Sequence, residues 1–482
     1  MFSGYMNQIQ RIVKNMGVTG TAQILTALIS FVLLIYLARF LGEADFGKYN
    51  FAFSFTSLFV IFADLGINQL LIREIAREKQ LSEHYVNNAI LLKISLSILT
   101  FIGIVLITWL LRFPKTLSIL LYLFGIYNIL FTLSSTYLSL FQAWEKMEYV
   151  ALFQIIERII IATLTLAVLF MGYGVIAVGY IYMLAGIIDM IVAVTISFKK
   201  FIRPLFKIDW GLQKKLLIMG LPFGLNALFA VFFFKIDTIL LGFLKDDVAV
   251  GIYNAAYNPL LSLSMIVAGI VSTAIYPVMS KYYKKNKESL EKFTVTSSKY
   301  LAILGFPIAT GCFILADKFI SILYAGGYTS AIIAFQILAL FIPIRLVSTI
   351  TGTLLTSINR QGYRMFSVGI SAAFNIILNL ILIPYYSYIG ASIATVLSEL
   401  LLYTLFLFYI GRYYKTIKVN QTFTKPLIAS IIMALTIYPI KNLNTFILIG
   451  LATLIYFISL FLLRTFGDDD RLLLNNLLGK EA

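Results

Sequence analysis

The chain contains fourteen apolar runs, most about 20 residues long, and this repetition limits what it can fold into. The runs cover 17–40, 46–65, 89–111, 117–143, 150–171 and 175–198 in the first half. They continue at 216–243, 250–278, 300–324, 332–356, 366–383 and 389–411, and 425–441 and 446–463 close the series. As a helix, a run of about 20 residues crosses the roughly 30 Å hydrocarbon core of a bilayer. Hydrocarbon offers no hydrogen bonds, so each backbone N–H and C=O must be satisfied within its own segment, which predicts helix for every run. Charged residues make up only 12% of the chain, against about 25% in soluble domains. The expected fold class is therefore an all-α polytopic membrane protein with fourteen transmembrane helices. The first run is too long for a signal sequence and no small-x-small cleavage pattern follows it, so it is expected to stay in the membrane.

The chain also reads as written twice. RFLGEADFGKYNFAFS, beginning at Arg39, returns as GFLKDDVAVGIYNAAYN, beginning at Gly242, with one extra residue in the second loop. Gly47, Tyr49, Asn50 and Ala52 thus recur as Gly251, Tyr253, Asn254 and Ala256, a shift of 204 residues. A fainter echo pairs FQAWEKMEY from Phe141 with LTSINRQGY from Leu355, each a polar break between two apolar runs. Repetition at this scale predicts two equivalent six-helix lobes, 1–200 and 216–412, joined by a cytoplasmic linker at 201–215 and followed by two further helices and a tail over 413–482. Six spans per half is an even number, so both halves start on the same side and are expected to be related by a pseudo-twofold axis along the membrane normal. A cleft between them is the expected place for a substrate. The linker, FIRPLFKIDWGLQKK, mixes basic, aromatic and aliphatic residues and suits the membrane surface. Kinks are expected near Pro222, Pro259 and Pro343.

A net charge of +16 invites a nucleic-acid reading, but the basic residues alternate by loop. One side collects 27 Lys and Arg and the other only 7. The positive-inside rule then places both termini in the cytoplasm of a multi-pass protein of the cell (plasma or inner) membrane, with anionic lipid as a secondary attraction. No nucleic-acid partner is expected. The single cysteine, Cys312, and single histidine, His84, exclude an internal disulfide and a His/Cys zinc site. No Gly-x-x-x-x-Gly-Lys-Ser/Thr loop is present for a nucleotide phosphate. No cofactor is expected, and the chain reads as a carrier rather than an enzyme. The acidic run Asp468, Asp469 and Asp470 reads as a solvated tail.

Ionisable residues inside apolar runs are costly and need a partner, water or a function. Here they are Asp64, Lys93, Glu157, Arg158, Asp189, Lys235, Asp237, Arg345 and Glu399. Asn50, Ser54, Ser57 and Asp64 share one helical face, as do Arg345, Thr349, Gly352 and Thr356, and Ser392, Thr395 and Glu399. Such stripes predict a common wet interior. Lys235 and Asp237, two residues apart, point about 160° away from each other. Arg39 is out of phase with the polar stripe Thr19, Gln23, Thr26 and Ser30 and sits near the outer surface. The competing explanation is structural: Lys93 lies near enough to the cytoplasmic end to snorkel, Glu157 and Arg158 pair with neighbours, and Asp64 and Asp189 pair with an arginine of another helix.

Leu37-Ala38-Arg39-Phe40-Leu41-Gly42, then Phe46-Gly47-Lys48-Tyr49 and Asp64-Leu65-Gly66, resemble the opening of the polysaccharide export and O-antigen flippase family, within the multidrug/oligosaccharidyl-lipid/polysaccharide exporter superfamily. Tyr276-Pro277 and the stretch from Leu323-Tyr324 to Tyr328 continue the likeness. Two features depart from other branches of the superfamily. The first run carries no acidic residue on its polar face, unlike the cation-coupled drug exporters, and the arginine set of the peptidoglycan-lipid flippases is reduced to Arg39. The resemblance implies a fold like those drug exporters and lipid flippases. It also implies movement of a polyprenyl-diphosphate-linked oligosaccharide from the cytoplasmic to the outer leaflet by alternating access. Arg345 and Lys235, with Arg39 and Arg158, are then candidates to hold the diphosphate. Asp64, Asp237, Glu399 and Asp189 are candidates for ion coupling or charge pairing. Implied partners are the lipid-linked substrate, membrane lipids, and a polysaccharide polymerase and glycosyltransferases. Three alternatives stand beside this: a cation-coupled small-molecule exporter, a polysaccharide polymerase or glycosyltransferase, and a non-transporting assembly scaffold.

Overall fold

The computed structural model describes residues 2–203, 207–415, 418 and 422–467, with side chains from residue 14 onward except residue 16. Residues 204–206 of the expected linker and the acidic run at Asp468, Asp469 and Asp470 lie outside the described residues. Within them, every extended element is a helix: α1 (Phe2–Asp64), α2 (Ile67–Arg77), α3 (Ser82–Leu110), α4 (Lys115–Ala143), α5 (Met147–Phe170), α6 (Val175–Lys200), α7 (Trp210–Leu244), α8 (Asp247–Lys285), α9 (Lys287–Ile314), α10 (Ala316–Tyr324), α11 (Ala331–Ala339), α12 (Phe341–Ser357), α13 (Gln361–Tyr413), α14 (Thr424–Ile437) and α15 (Thr445–Leu462).

Eleven of these segments are long and apolar enough to cross a membrane. Two of the eleven are double. α1 is broken at Gly42 (φ 70°, ψ 177°), a conformation open to glycine alone, and α13 is broken at Ser387 (φ 51°, ψ −134°). With the shorter apolar helix Thr424–Ile440, the segments come to the fourteen read from the runs. The loops expected after residues 40 and 383 are thus reduced to single non-helical residues. α7 and α8 stay helical through Pro222 and Pro259, and near Pro343 the passage from α11 to α12 at Leu340 keeps a right-handed helical backbone (φ −67°, ψ −20°). α7 starts at Trp210, inside the stretch read as linker. The Asp209 side chain caps it, accepting from the Leu212 amide at 3.0 Å, and this bond, with the nearby His84, holds its carboxyl below the usual carboxylate range. Asn87 and Asn88 of α3 bond Arg203 O and Asp209 N, fastening both described ends of that connection.

The helices form two compact units, Met1–Asn254 with Asn375–Tyr388, and Ala255–Phe374 with Ile389–Ala482. In the first, α6 lies along α4, α5 along α1, and α7 along α1 and α2. α2 is short and amphipathic, burying Ile67, Leu70, Leu71 and Ile75 in one cluster with Tyr137, Phe141 and Phe153. In the second, α9 packs on α12 and α14, and α14 pairs with α15 around Ile303, Met433, Leu448 and Tyr456.

The duplication has a structural signature inside the first unit. A Cβ on Gly47 would stand 1.7 Å from the Asp247 carbonyl oxygen, and one on Gly251 would stand 1.9 Å from the Glu43 carbonyl oxygen. Under the 204-residue shift, 43 maps to 247 and 47 to 251, so the contact is its own image. The asparagines beside it repeat as well: Asn50 Nδ2 donates to Phe46 O at 2.8 Å, and Asn254 Nδ2 to Val250 O at 2.9 Å. The fainter echo holds too. Glu145 (φ 59°) and Asn359 (φ 61°) both end a helix in the left-handed region. The bonds Lys146 N to Phe141 O and Arg360 N to Leu355 O close the two turns, each at 2.8 Å, a Schellman arrangement.

Lys93 does not snorkel. It is wholly enclosed, and its ammonium donates to Asp64 Oδ1 (2.8 Å), Asn68 Oδ1 (3.0 Å), Thr132 O (2.7 Å) and Thr136 Oγ1 (2.9 Å), tying α3 to α1, α2 and α4. Asp64 therefore pairs with a lysine rather than an arginine.

Two expectations follow. Gly47→Ala or Gly251→Ala forces the crossing apart and should cost about 1–3 kcal/mol as overpacking, read as a lower melting temperature of the purified protein. The double substitution should cost less than the sum, because both report on one contact. Lys93→Met should cost about 3–5 kcal/mol by stranding Asp64 and the Thr132 carbonyl, and adding Asp64→Leu should restore part of the lost melting temperature.

Candidate functional site

The centre of the first unit is aromatic and polar together. Tyr49 and Phe53 on α1, Phe124 and Tyr127 on α4, and Tyr182 on α6 close on one another, with ring centroids 5.2 Å apart for Tyr127 and Tyr182 and 5.3 Å for Phe124 and Tyr182. The Tyr49 and Tyr182 hydroxyls share a 2.7 Å hydrogen bond, and the Tyr127 hydroxyl donates to Glu157 Oε1 at 2.8 Å. Glu157 is thereby held by a phenol of a neighbouring helix. Arg158, the next residue on α5, is different: its Nε is enclosed without a hydrogen-bond partner, and it makes no ion pair among the described residues. Its charge lies close enough to Tyr49, Tyr127, Tyr182 and Glu157 to interact with all four.

Lys235 on α7 meets the same cluster from another side. Its Nζ stands 6.0 Å from the centroid of Phe53, a cation–π approach, and it too makes no ion pair among the described residues. Phe53 in turn lies 6.1 Å from Tyr182 and 6.4 Å from Tyr127, so one aromatic cluster carries two cations that make no ion pair among the described residues. Asp237, two residues on, faces elsewhere and accepts from Asn379 Nδ2 at 2.5 Å, which also bonds Asn375. The opposed directions read from helical phase are therefore seen in different neighbours.

The remaining candidates separate by partner. Asp189 is buried and accepts from Ser134 Oγ at 2.5 Å, a hydroxyl where an arginine was expected. In the second unit, Arg345 Nη1 donates to Glu399 Oε2 at 2.9 Å, and Ser348 Oγ bonds the other carboxylate oxygen at 3.3 Å. The two residues singled out there for separate roles thus neutralise each other. Arg39 is exposed near the end of the first limb of α1, with its guanidinium 5.9 Å from the Tyr36 ring.

The polar stripes are partly satisfied within their own helices. Thr26, Ser30, Asn50, Ser57, Thr349, Thr356 and Thr395 each donate to the carbonyl four residues earlier in their own helix. These bonds satisfy the donors without water. Tyr127 and Ser134 on one apolar run and Tyr182 on another were missed in the sequence because nothing local marks them.

With this geometry in view, the likeness to other proteins is informative. The probable low-salt glycan biosynthesis flippase Agl15 of Haloferax volcanii is 26% identical over 78% of this chain and 79% of its own length. The uncharacterized membrane protein MJ1068 of Methanocaldococcus jannaschii is 22% identical over 96% of each chain. Among solved structures, the lipid II flippase MurJ in an inward closed conformation superposes with a TM-score of 0.73 at 16% identity, covering 93% of this chain and 98% of MurJ. An inward-facing multidrug resistance MATE transporter of the MOP superfamily gives 0.65 at 14% identity, over 82% and 95%. The expected fold is thus the observed one. A pattern described as MatE matches residues 222–381, and one described as polysaccharide biosynthesis protein matches residues 12–283, more than half of the chain. The chain belongs to the polysaccharide biosynthesis protein family.

Proposed function

We propose that this protein carries a polyprenyl-diphosphate-linked oligosaccharide from the cytoplasmic to the outer leaflet of the cell membrane by alternating access, for assembly of a surface glycan. The observation that carries this reading is the pair of cations without an ion pair among the described residues, Arg158 and Lys235, on one aromatic cluster. A cation enclosed among apolar helices is costly, and the cost is recovered when an anion binds. A diphosphate has the complementary need, since its transfer into hydrocarbon unshielded costs tens of kcal/mol by Born estimates, on the order of the ion-burial cost. Arginine suits bidentate phosphate contact and lysine a point contact. Arg345, by exchanging Glu399 for phosphate, and Arg39, near the surface, remain separate candidates to contact the headgroup along its path.

The relative named as a probable flippase supports the same reading, and the substrate itself then defines the partners: a lipid-linked oligosaccharide and the surrounding lipids, with no chemistry performed on them. With the cytoplasm negative, outward movement of two negative charges gains roughly 4–5 kcal/mol at 100 mV, so an ion gradient assists but is not required. Asp237, Asp189 and Asp64 remain the candidates for such coupling. The MatE match over residues 222–381, which contains the enclosed Asp237, favours a second reading as a cation-coupled exporter of small molecules.

The test is leaflet-to-leaflet transfer of a polyprenyl-diphosphate oligosaccharide in liposomes holding the purified protein. Wild type should transfer it. Lys235→Ala and Arg158→Ala should each slow transfer about 10- to 100-fold, the loss expected for one hydrogen bond to a charged group at 1.5–3 kcal/mol. Absence of transfer, together with sodium- or proton-driven drug efflux abolished by Asp237→Asn, would establish the exporter reading instead.

A further inference from the structure

We propose that Arg360, Arg364 and Arg412 form an outlying site for the diphosphate group of a membrane lipid, where α12 ends and α13 begins and its second limb returns. The inference rests on the substrate reading above and deepens it by naming a loading position apart from Arg158 and Lys235. All three arginines are exposed, and none makes an ion pair among the described residues. They are nevertheless not loose. Tyr363 and Tyr413 stack at 4.3 Å and 28°, with Tyr409 at 4.9 Å from Tyr363, and the Arg360 guanidinium lies 4.9 Å over Tyr413 and 6.0 Å from Tyr363. Arg412 lies 5.8 Å from the same Tyr413 ring, and Arg364 Nη1 donates to Thr356 Oγ1 at 3.2 Å.

A guanidinium held beside an aromatic ring by a cation–π approach keeps the N–H donors with which arginine grips phosphate oxygens two at a time. Glu291 is already taken by Lys415 at 2.6 Å. Two cations on one tyrosine stack, with Arg364 four residues beyond Arg360, exceed the single charge of a phosphodiester and match a diphosphate. The first half provides a contrast at the equivalent turn. There Lys146 stands where the second half has Arg360, and Tyr149 where it has Tyr363. Tyr149 carries Lys200, which donates to its hydroxyl at 2.9 Å, so the first half presents point charges and the second presents forks. By the charge asymmetry of the loops this turn belongs to the cytoplasmic side, where a substrate is loaded.

The experiment uses the full chain in phosphatidylcholine nanodiscs, with binding read by native mass spectrometry. The probes are a sugar-free polyprenyl diphosphate and phosphatidylglycerol. Wild type should prefer the diphosphate lipid by at least tenfold and bind two copies. Arg360→Gln with Arg412→Gln should remove one copy, keep the one that Lys235→Ala removes, and slow transfer most at low substrate. Arg360→Lys with Arg412→Lys keeps the charge but not the fork, and should fall between, which also guards against a misfolded variant. Unchanged diphosphate binding by both double variants, or equal binding of phosphatidylglycerol, would overturn the outlying site while leaving the transfer result standing. If wild type binds no diphosphate lipid at all, the site and the substrate reading fall together.

Discussion

Hydrocarbon supplies no hydrogen bonds, and the internal arrangement of this protein follows from where each polar group finds one. Backbone groups are satisfied along the helices. Hydroxyls such as Thr26, Ser30 and Ser57 turn back to their own helix. Charges reach across helices, as Lys93 does to four acceptors and Arg345 to Glu399. Against that accounting, Arg158 and Lys235 stand out because the helices around them complete the aromatic packing without giving either an ion pair among the described residues.

Close packing answers the same constraint. Without a solvent-driven attraction between helices, association relies on backbones approaching until carbonyls and small residues touch. The Gly47 and Gly251 crossing is such an approach, and its reciprocity makes the two repeats mutually complementary at one point. A self-complementary contact is what two copies of one sequence produce when they meet around a twofold axis.

Much of this was legible in the sequence. Run length and sparse charge gave fourteen spans, and the repeat gave the positions of Gly47 and Gly251 without saying that they touch. Helical phase separated Lys235 from Asp237. Pairing was the part that could not be read, because Lys93, Asp64, Asn68 and Thr136 lie on four helices and no periodicity links one helix to another. The stripes left the direction of their side chains open for a local reason: a threonine that bonds its own helix looks the same in sequence as one that faces water. α2 was overlooked though its apolar spacing, Ile67, Leu70, Leu71 and Ile75, was present within a stretch read as a basic loop.

The single-residue breaks at Gly42 and Ser387 have a mechanical meaning. A flexible loop between two helices absorbs displacement, since its many torsions share any strain. An elbow of one residue has only two soft torsions, so the limbs of α1 and of α13 behave as rigid levers on a short pivot. Tilt imposed on one limb is passed to the other as torque with little slack to dissipate it. In a carrier, such an elbow converts a small change around one helix into a directed movement of the next.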